Sequence, residues 1–167
     1  MIELRQATPS DLDAIMVMID DAKSLLKSQN STQWQDGYPA DADIEQDLKN
    51  ENGWVLTVDG VPAAYLAATD FDENYLAISW DCDGPYWALH RFAVSQAFRG
   101  QGLAQKLITL VMEEGQRQGV KAFRLDTGFE NRVIQHLADK LGFQERGVIT
   151  VKSDNHDPRR LAYELVL

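Results

Sequence analysis

Arg99-Gly100-Gln101-Gly102 sets a guanidinium ahead of two glycines, one residue apart, where an amphipathic run begins at Leu103. The first turn of a helix offers unpaired N–H groups and a partial positive charge, both suited to phosphate. A Cβ at either glycine would obstruct backbone approach to a ligand or forbid the φ angles of such a loop. Arg99 adds hydrogen bonds that grip phosphate oxygens in pairs. The stretch reads as a cradle for a diphosphate; the plainer alternative is a glycine turn between strand and helix. It is not a P-loop, because the Gly, four residues, Gly-Lys-Ser/Thr pattern is missing. It is not a dinucleotide fingerprint either, since Gln105 stands where the third glycine or alanine belongs.

Other residues with chemical capacity are few. His90 lies in "YWALHRFAV" just upstream of the loop, where strict strand alternation puts it on one face with Ala88, Phe92 and Val94. It is the better candidate for a general base, as an imidazole titrating near neutrality, and Tyr86 on the same face is a possible helper through a water. Packed side chains are the plainer reading of both. His136 reads as a surface histidine, and Cys82, flanked by Asp81 and Asp83, as a poor nucleophile. "QWQDGYP" carries Trp34, Asp36 and Tyr38: two aromatic faces and a counter-charge that suit a cationic amine. The alternative is that the aromatics pin a loop to the core.

The elements that must position these groups follow from periodicity. "IELRQA" is a strand. A helix capped by Thr8 or Ser10 follows, its apolar stripe running through Leu12, Ile15, Ile19, Ala22 and Leu26. A polar loop and a short helix, "ADIEQDLKNE", lead to two β-rich runs around Asp59-Gly60, a hairpin signal. "NYLAISW" either extends the sheet or belongs to an insertion. After the strand bearing His90 come a helix from Gly102 to about Gln118 with inner residues Leu103, Leu107, Leu110 and Val111, the strand "KAFRLDT", and the helix "NRVIQHLADKLG" capped by Asn131. "FQERGVI" and "LAYELVL" close the chain as strands. The order is that of one mixed α/β (α+β) domain over residues 1–167.

Charge is divided unevenly over the 167 residues, whose net charge is −10. Residues 1–90 hold 17 acidic against four basic residues; residues 91–167 hold 12 basic against nine acidic. An acidic chain is an unfavourable partner for nucleic acid or an anionic membrane, while its basic second half suits an anionic ligand. One cysteine excludes an internal disulfide and a cysteine-based zinc site within one chain, and no metal site is expected. No apolar run nears the roughly 18 residues that span a bilayer, and the N-terminus lacks a secretory pattern. A cytoplasmic location is the expectation.

Arg99-Gly100-Gln101-Gly102-Leu103-Ala104 resembles the acetyl-coenzyme A loop of the GNAT family of N-acetyltransferases, Arg/Gln-x-x-Gly-x-Gly/Ala. "LHRFAV" resembles the strand before that loop, and "NRVIQHLADKLGF" the later helix with its glycine-phenylalanine ending. The element order matches along essentially the whole chain. The resemblance implies a mostly antiparallel twisted sheet of about seven strands with four helices, splayed near Val94 around acetyl-CoA. It implies that main-chain groups of Phe92, Ala93 and Val94 pair with the pantetheine arm, that amides from Arg99 to Ala104 hold the pyrophosphate, and that Asn131 bonds the arm near the thioester. The Val94 N–H would polarise the carbonyl. Where the family often has a tyrosine acid, this chain has Ala138. The implied activity is acetyl transfer to a primary amine of a small, cationic molecule. A peptide amine and a non-catalytic acyl-CoA sensor are the alternatives, and exposed sheet edges leave room for a homodimer.

Overall fold

The computed structural model describes residues 1–152 and 156–167. One seven-stranded sheet runs in the order β1-β2-β3-β4-β5-β7-β6. Its strands are β1 (Ile2–Gln6), β2 (Gly53–Val58), β3 (Val61–Thr69), β4 (Tyr86–Val94), β5 (Ala122–Thr127), β6 (Gln144–Thr150) and β7 (Arg159–Val166). Among the described residues only the central β4–β5 pair is parallel; the other pairs are antiparallel. Four helices cover the faces: α1 (Leu12–Ser28), α2 (Asp41–Lys49), α3 (Leu103–Arg117) and α4 (Arg132–Leu141). None is long and apolar enough to cross a membrane.

Local chemistry accounts for the element ends. A 3-10 turn at Pro9–Asp11 precedes α1. There the Asp11 carboxylate accepts from the Thr8 N–H at 2.8 Å and from Arg5 at 2.7 and 2.8 Å. Arg5 first of all holds that carboxyl down to about 2. The β2–β3 hairpin turns on Asp59 and Gly60, both at positive φ, as a tight two-residue connection requires. "NYLAISW" is not a strand. Asp72 caps a 3-10 turn, Glu73–Ala77, by accepting from the Asn74 N–H at 2.8 Å, and Tyr75 is buried beneath it.

Apolar residues pack on both faces. On one face Leu56, Leu66 and Phe123 of the sheet pack with Leu107 and Val111 of α3; on the other Val55 and Tyr65 pack with Ile15 and Ile19 of α1 and Ile44 of α2. Burial of each such side chain contributes about 1.5–3 kcal/mol. Gly115 lets α3 approach the sheet, since a Cβ there would meet the Phe123 ring at 2.7 Å.

The sheet opens at its centre. Parallel pairing of β4 with β5 ends at Leu89↔Leu125, so the edge of His90–Val94 that faces away from β3 has no strand partner. The split therefore starts at His90, four residues before Val94. The β3–β4 register also shifts between Tyr65 and Ala67, and Arg91 sits at φ 51°. This is a bulge, and one extra residue reverses strand alternation beyond it. Phe92 and Val94 face the α3–α4 layer. His90 pairs with Ala67, which packs in the α1–α2 layer with Ala93. His90 and Phe92 thus lie on opposite faces, contrary to the alternation expected from sequence.

Candidate active site

The two parted strands, α1, the Asn30–Ala40 loop and the Gly102 end of α3 enclose a cavity of about 840 Å³. On its cofactor-facing side, Gly100 and Gly102 have φ values of 80° and 72°, which explains glycine at both positions. An added Cβ would meet no protein atom within 4 Å at either. The space beyond them is thus open to a ligand. No side chain caps α3. Among the described residues the amides from Gly100 to Gln105 donate to no other group, and the first engaged amide is Lys106, to Gly102 O at 3.2 Å. The Arg99 amide is already turned inward, to Gln96 O at 3.4 Å, and its guanidinium donates to Asp21 O at 2.8 Å.

Strand geometry adds a donor. Ser95 donates to Ala63 O at 2.8 Å across β3. Successive amides of an extended strand point to opposite edges, so the Val94 N–H points into the split. Every residue expected in the cofactor seat lines the cavity except Gln101, which is exposed. Asn131 lines it too, while its Oδ1 caps α4 by accepting from the Ile134 N–H at 3.3 Å. Open amides, room beyond the glycines and a free strand edge all fit a pantetheine diphosphate.

The opposite wall is acidic. Asp72, His90 and Asp126 place one ligand atom each within 4.8 Å of one another, close enough for one cationic group to touch all three. Thr69 Oγ1 donates to Phe71 O at 3.1 Å and so accepts from His90 Nε2 at 3.0 Å; the network assigns the ring proton to Nε2. Asp72 Oδ2 lies 3.6 Å from that nitrogen. Tyr75 donates to Asp126 Oδ2 at 2.7 Å. Burial, with the charge of Arg91 second, holds the His90 imidazole down to about 3, so it is neutral at physiological pH, not poised near 6.5. Burial raises the Asp126 carboxyl to about 6, against the Tyr75 hydrogen bond; Asp72 raises it further and Arg160 lowers it. Burial raises Asp72 as well.

A buried knot stands behind this wall. Arg91 donates to Asp47 through Nε at 2.7 Å and Nη2 at 2.5 Å, and to the Tyr38 hydroxyl at 2.9 Å. Tyr65 donates to the same Asp47 carboxylate at 2.8 Å. The bulged residue is thereby tied to α2 and to the Asn30–Ala40 loop.

The acceptor residues expected from sequence divide. Trp34 lines the cavity while also packing on the α1–α2 core. Tyr38 lines it with its hydroxyl committed to Arg91. Asp36 does not line it and pairs with His156 at 2.8 Å. Tyr86 is outside it: its hydroxyl accepts from the Asp72 N–H at 3.0 Å, and Arg124 lies 4.0 Å over its ring. His136 is exposed and Ala138 buried. Sequence reasoning missed Asp72, Arg91 and Asp126. The available signals were an aspartate ending the apolar strand "KAFRLD" and an arginine inside a β-rich run.

A model of the Acetyltransferase (GNAT) family matches residues 19–143. The crystal structure of a GNAT-family acetyltransferase from Streptococcus agalactiae superposes with a TM-score of 0.89 at 37% identity, over 99% of this chain and 95% of that one. The aminoglycoside N(6')-acetyltransferase type 1 of Salmonella typhimurium is 30% identical over 115 residues, 65% of this chain and 77% of the relative. The ribosomal protein bS18-alanine N-acetyltransferase of Haemophilus ducreyi is 33% identical over 66 residues, 40% of this chain, and the match spans only 43% of that relative's length.

Proposed function

The chain belongs to the acetyltransferase (GNAT) family, and from that premise we propose that this acetyl-CoA-dependent N-acetyltransferase acts on a primary amine of a small, cationic molecule. The observation that carries the reading is the convergence of Asp72 and Asp126 on the cavity wall, beside a neutral His90, where the sheet parts. A protonated amine gains two counter-charges and the Trp34 face there. Its aminoglycoside-modifying relative supports a polyamine-like acceptor.

Transfer needs a neutral nitrogen, a polarised carbonyl and a stabilised leaving sulfur. Asp126 is the base of this reading, in contact with the amine directly or through one water; a carboxyl near 6 is ionised at neutral pH yet basic enough to take a proton. His90 orders the site through Thr69 and Asp72. The Val94 amide is the donor toward the thioester carbonyl. The Gly100–Gln105 amides hold the diphosphate.

Thiol release from acetyl-CoA, measured across polyamines, aminoglycosides, lysine-like amines, uncharged amines and alanine-initiated peptides, tests the assignment. Small dicationic or polycationic amines should give the highest kcat/KM. A preference for uncharged amines or for the peptides would overturn it.

A further inference from the structure

Thr127 ends β5, two residues past the point where pairing with β4 stops. It is 2% exposed and lines the cavity, and its Oγ1 is buried without a hydrogen-bond partner among the described residues. Nearby polar groups are committed elsewhere. Gly128 donates to Gln33, Gln135 donates to the Gly128 and Phe129 carbonyls, and Asn131 caps α4. A buried hydroxyl left unpaired destabilises a fold, and valine fills the same volume without that penalty. Arg146 Nε is the other such atom, and it at least lies 3.4 Å from Glu164.

The position of Thr127 suggests its use. Leu125 and Leu161, its neighbour by two and its cross-strand partner, belong to the α3–α4 layer, so Thr127 faces the coenzyme side of the sheet. Asp126, adjacent in sequence, points the other way, to Tyr75 and the acceptor wall. In the acetyltransfer reading the acetyl group would meet the amine at that boundary, with the thioester sulfur on the coenzyme side of it. Ala138 is buried, and its side chain offers no proton or hydrogen bond.

We propose that Thr127 is a further catalytic contact, donating a hydrogen bond from Oγ1 to the thioester sulfur as the carbon–sulfur bond breaks. The inference rests on the acetyltransfer reading above. The nitrogen lone pair forms the carbon–nitrogen bond, and the carbon–sulfur pair departs on sulfur. The nitrogen's proton passes to Asp126 and on to water, and sulfur takes a proton from water. Thr127 keeps its own. Oγ1 is buried in the ligand-free protein, and one rotation about χ1 between staggered wells is the movement by which it would reach the cavity that Thr127 lines.

T127V and T127S are compared with wild type by steady-state turnover on the best amine, acetyl-CoA titration and thermal unfolding of the ligand-free protein. T127V should lose about 10- to 100-fold in kcat, keep its acetyl-CoA Kd within about two-fold, and unfold about 2–4 °C higher as the orphan hydroxyl disappears. T127S should retain most turnover. Wild-type-like kcat in T127V overturns the proposal alone. Lost turnover with a lowered Tm assigns the hydroxyl to the fold and also overturns it. A wild type releasing no thiol with any amine overturns the acetyltransfer reading, and this proposal with it.

Discussion

The two walls of the split sheet are made in different ways. The proposed coenzyme wall is mostly main chain: consecutive amides from Gly100 to Gln105 and the free edge of β4. Apart from the glycines, it asks little of side-chain identity. The proposed acceptor wall is all side chain, drawn from Trp34, Asp72, His90 and Asp126, which belong to four separate segments of the chain. The first wall is a local property of the end of β4 and the loop and helix start that follow it. The second exists only once β4 and β5 part and the 70–80 segment folds across them.

The contrast predicts separable defects. The largest belongs to D126N, which should lower kcat/KM by about 10²–10⁴-fold with acetyl-CoA affinity unchanged, as calorimetric titration with steady-state kinetics would show. A weakened acetyl-CoA Kd would merge the two walls. G102V is the mirror image. It forces a β-branched residue to φ 72° and fills the space before the amides; acetyl-CoA Kd should rise by at least about 30-fold in a protein that still folds. Unaltered affinity would remove the cradle.

A smaller effect comes from pH. Asp126 takes up its proton as pH falls through about 6, so kcat/KM should decline below that value and level off above it. His90, held at about 3, stays neutral throughout, so H90A should lower activity but leave the inflection in place; an inflection that disappears would return the base to His90. The same carboxyl acts on folding. Its folded value exceeds the unfolded value of about 3.9, so its contribution to stability declines as pH rises from about 4 to 6. The Tm difference between wild type and D126N should follow that course. The smallest effect is at D36N. With its carboxylate on His156 and outside the cavity, acceptor KM should stay within about two-fold of wild type.

How much was legible follows the same division. Arg99 to Ala104 announce themselves because a helix start, two glycines and a preceding strand are all short-range signals. The seven strands and four helices were readable for that reason also. Asp126 was not. Its strand "KAFRLDT" looks like any buried strand, and nothing local says that its neighbour β4 departs one residue earlier. His90, which lines the cavity, stood out in the sequence, but with the wrong companions. Period-two counting passes through Arg91 as though it were ordinary, whereas a side chain 44 residues away, Asp47, holds the bulge that reverses the count. Asp36 and Tyr38 looked alike as acceptor groups, and their actual partners, His156 and Arg91, lie beyond any local window.

The Arg91–Asp47–Tyr38 knot sets a rule for anyone who would graft a foreign substrate lid onto this scaffold. The transplanted segment must bring an oxygen to the place of the Tyr38 hydroxyl, because a guanidinium sealed beneath it will not tolerate a greasy replacement. Gln33 and Trp34 tie the same loop to Gly128 and to the α1–α2 core, so libraries aimed at new acceptors should hold them constant together with Tyr38.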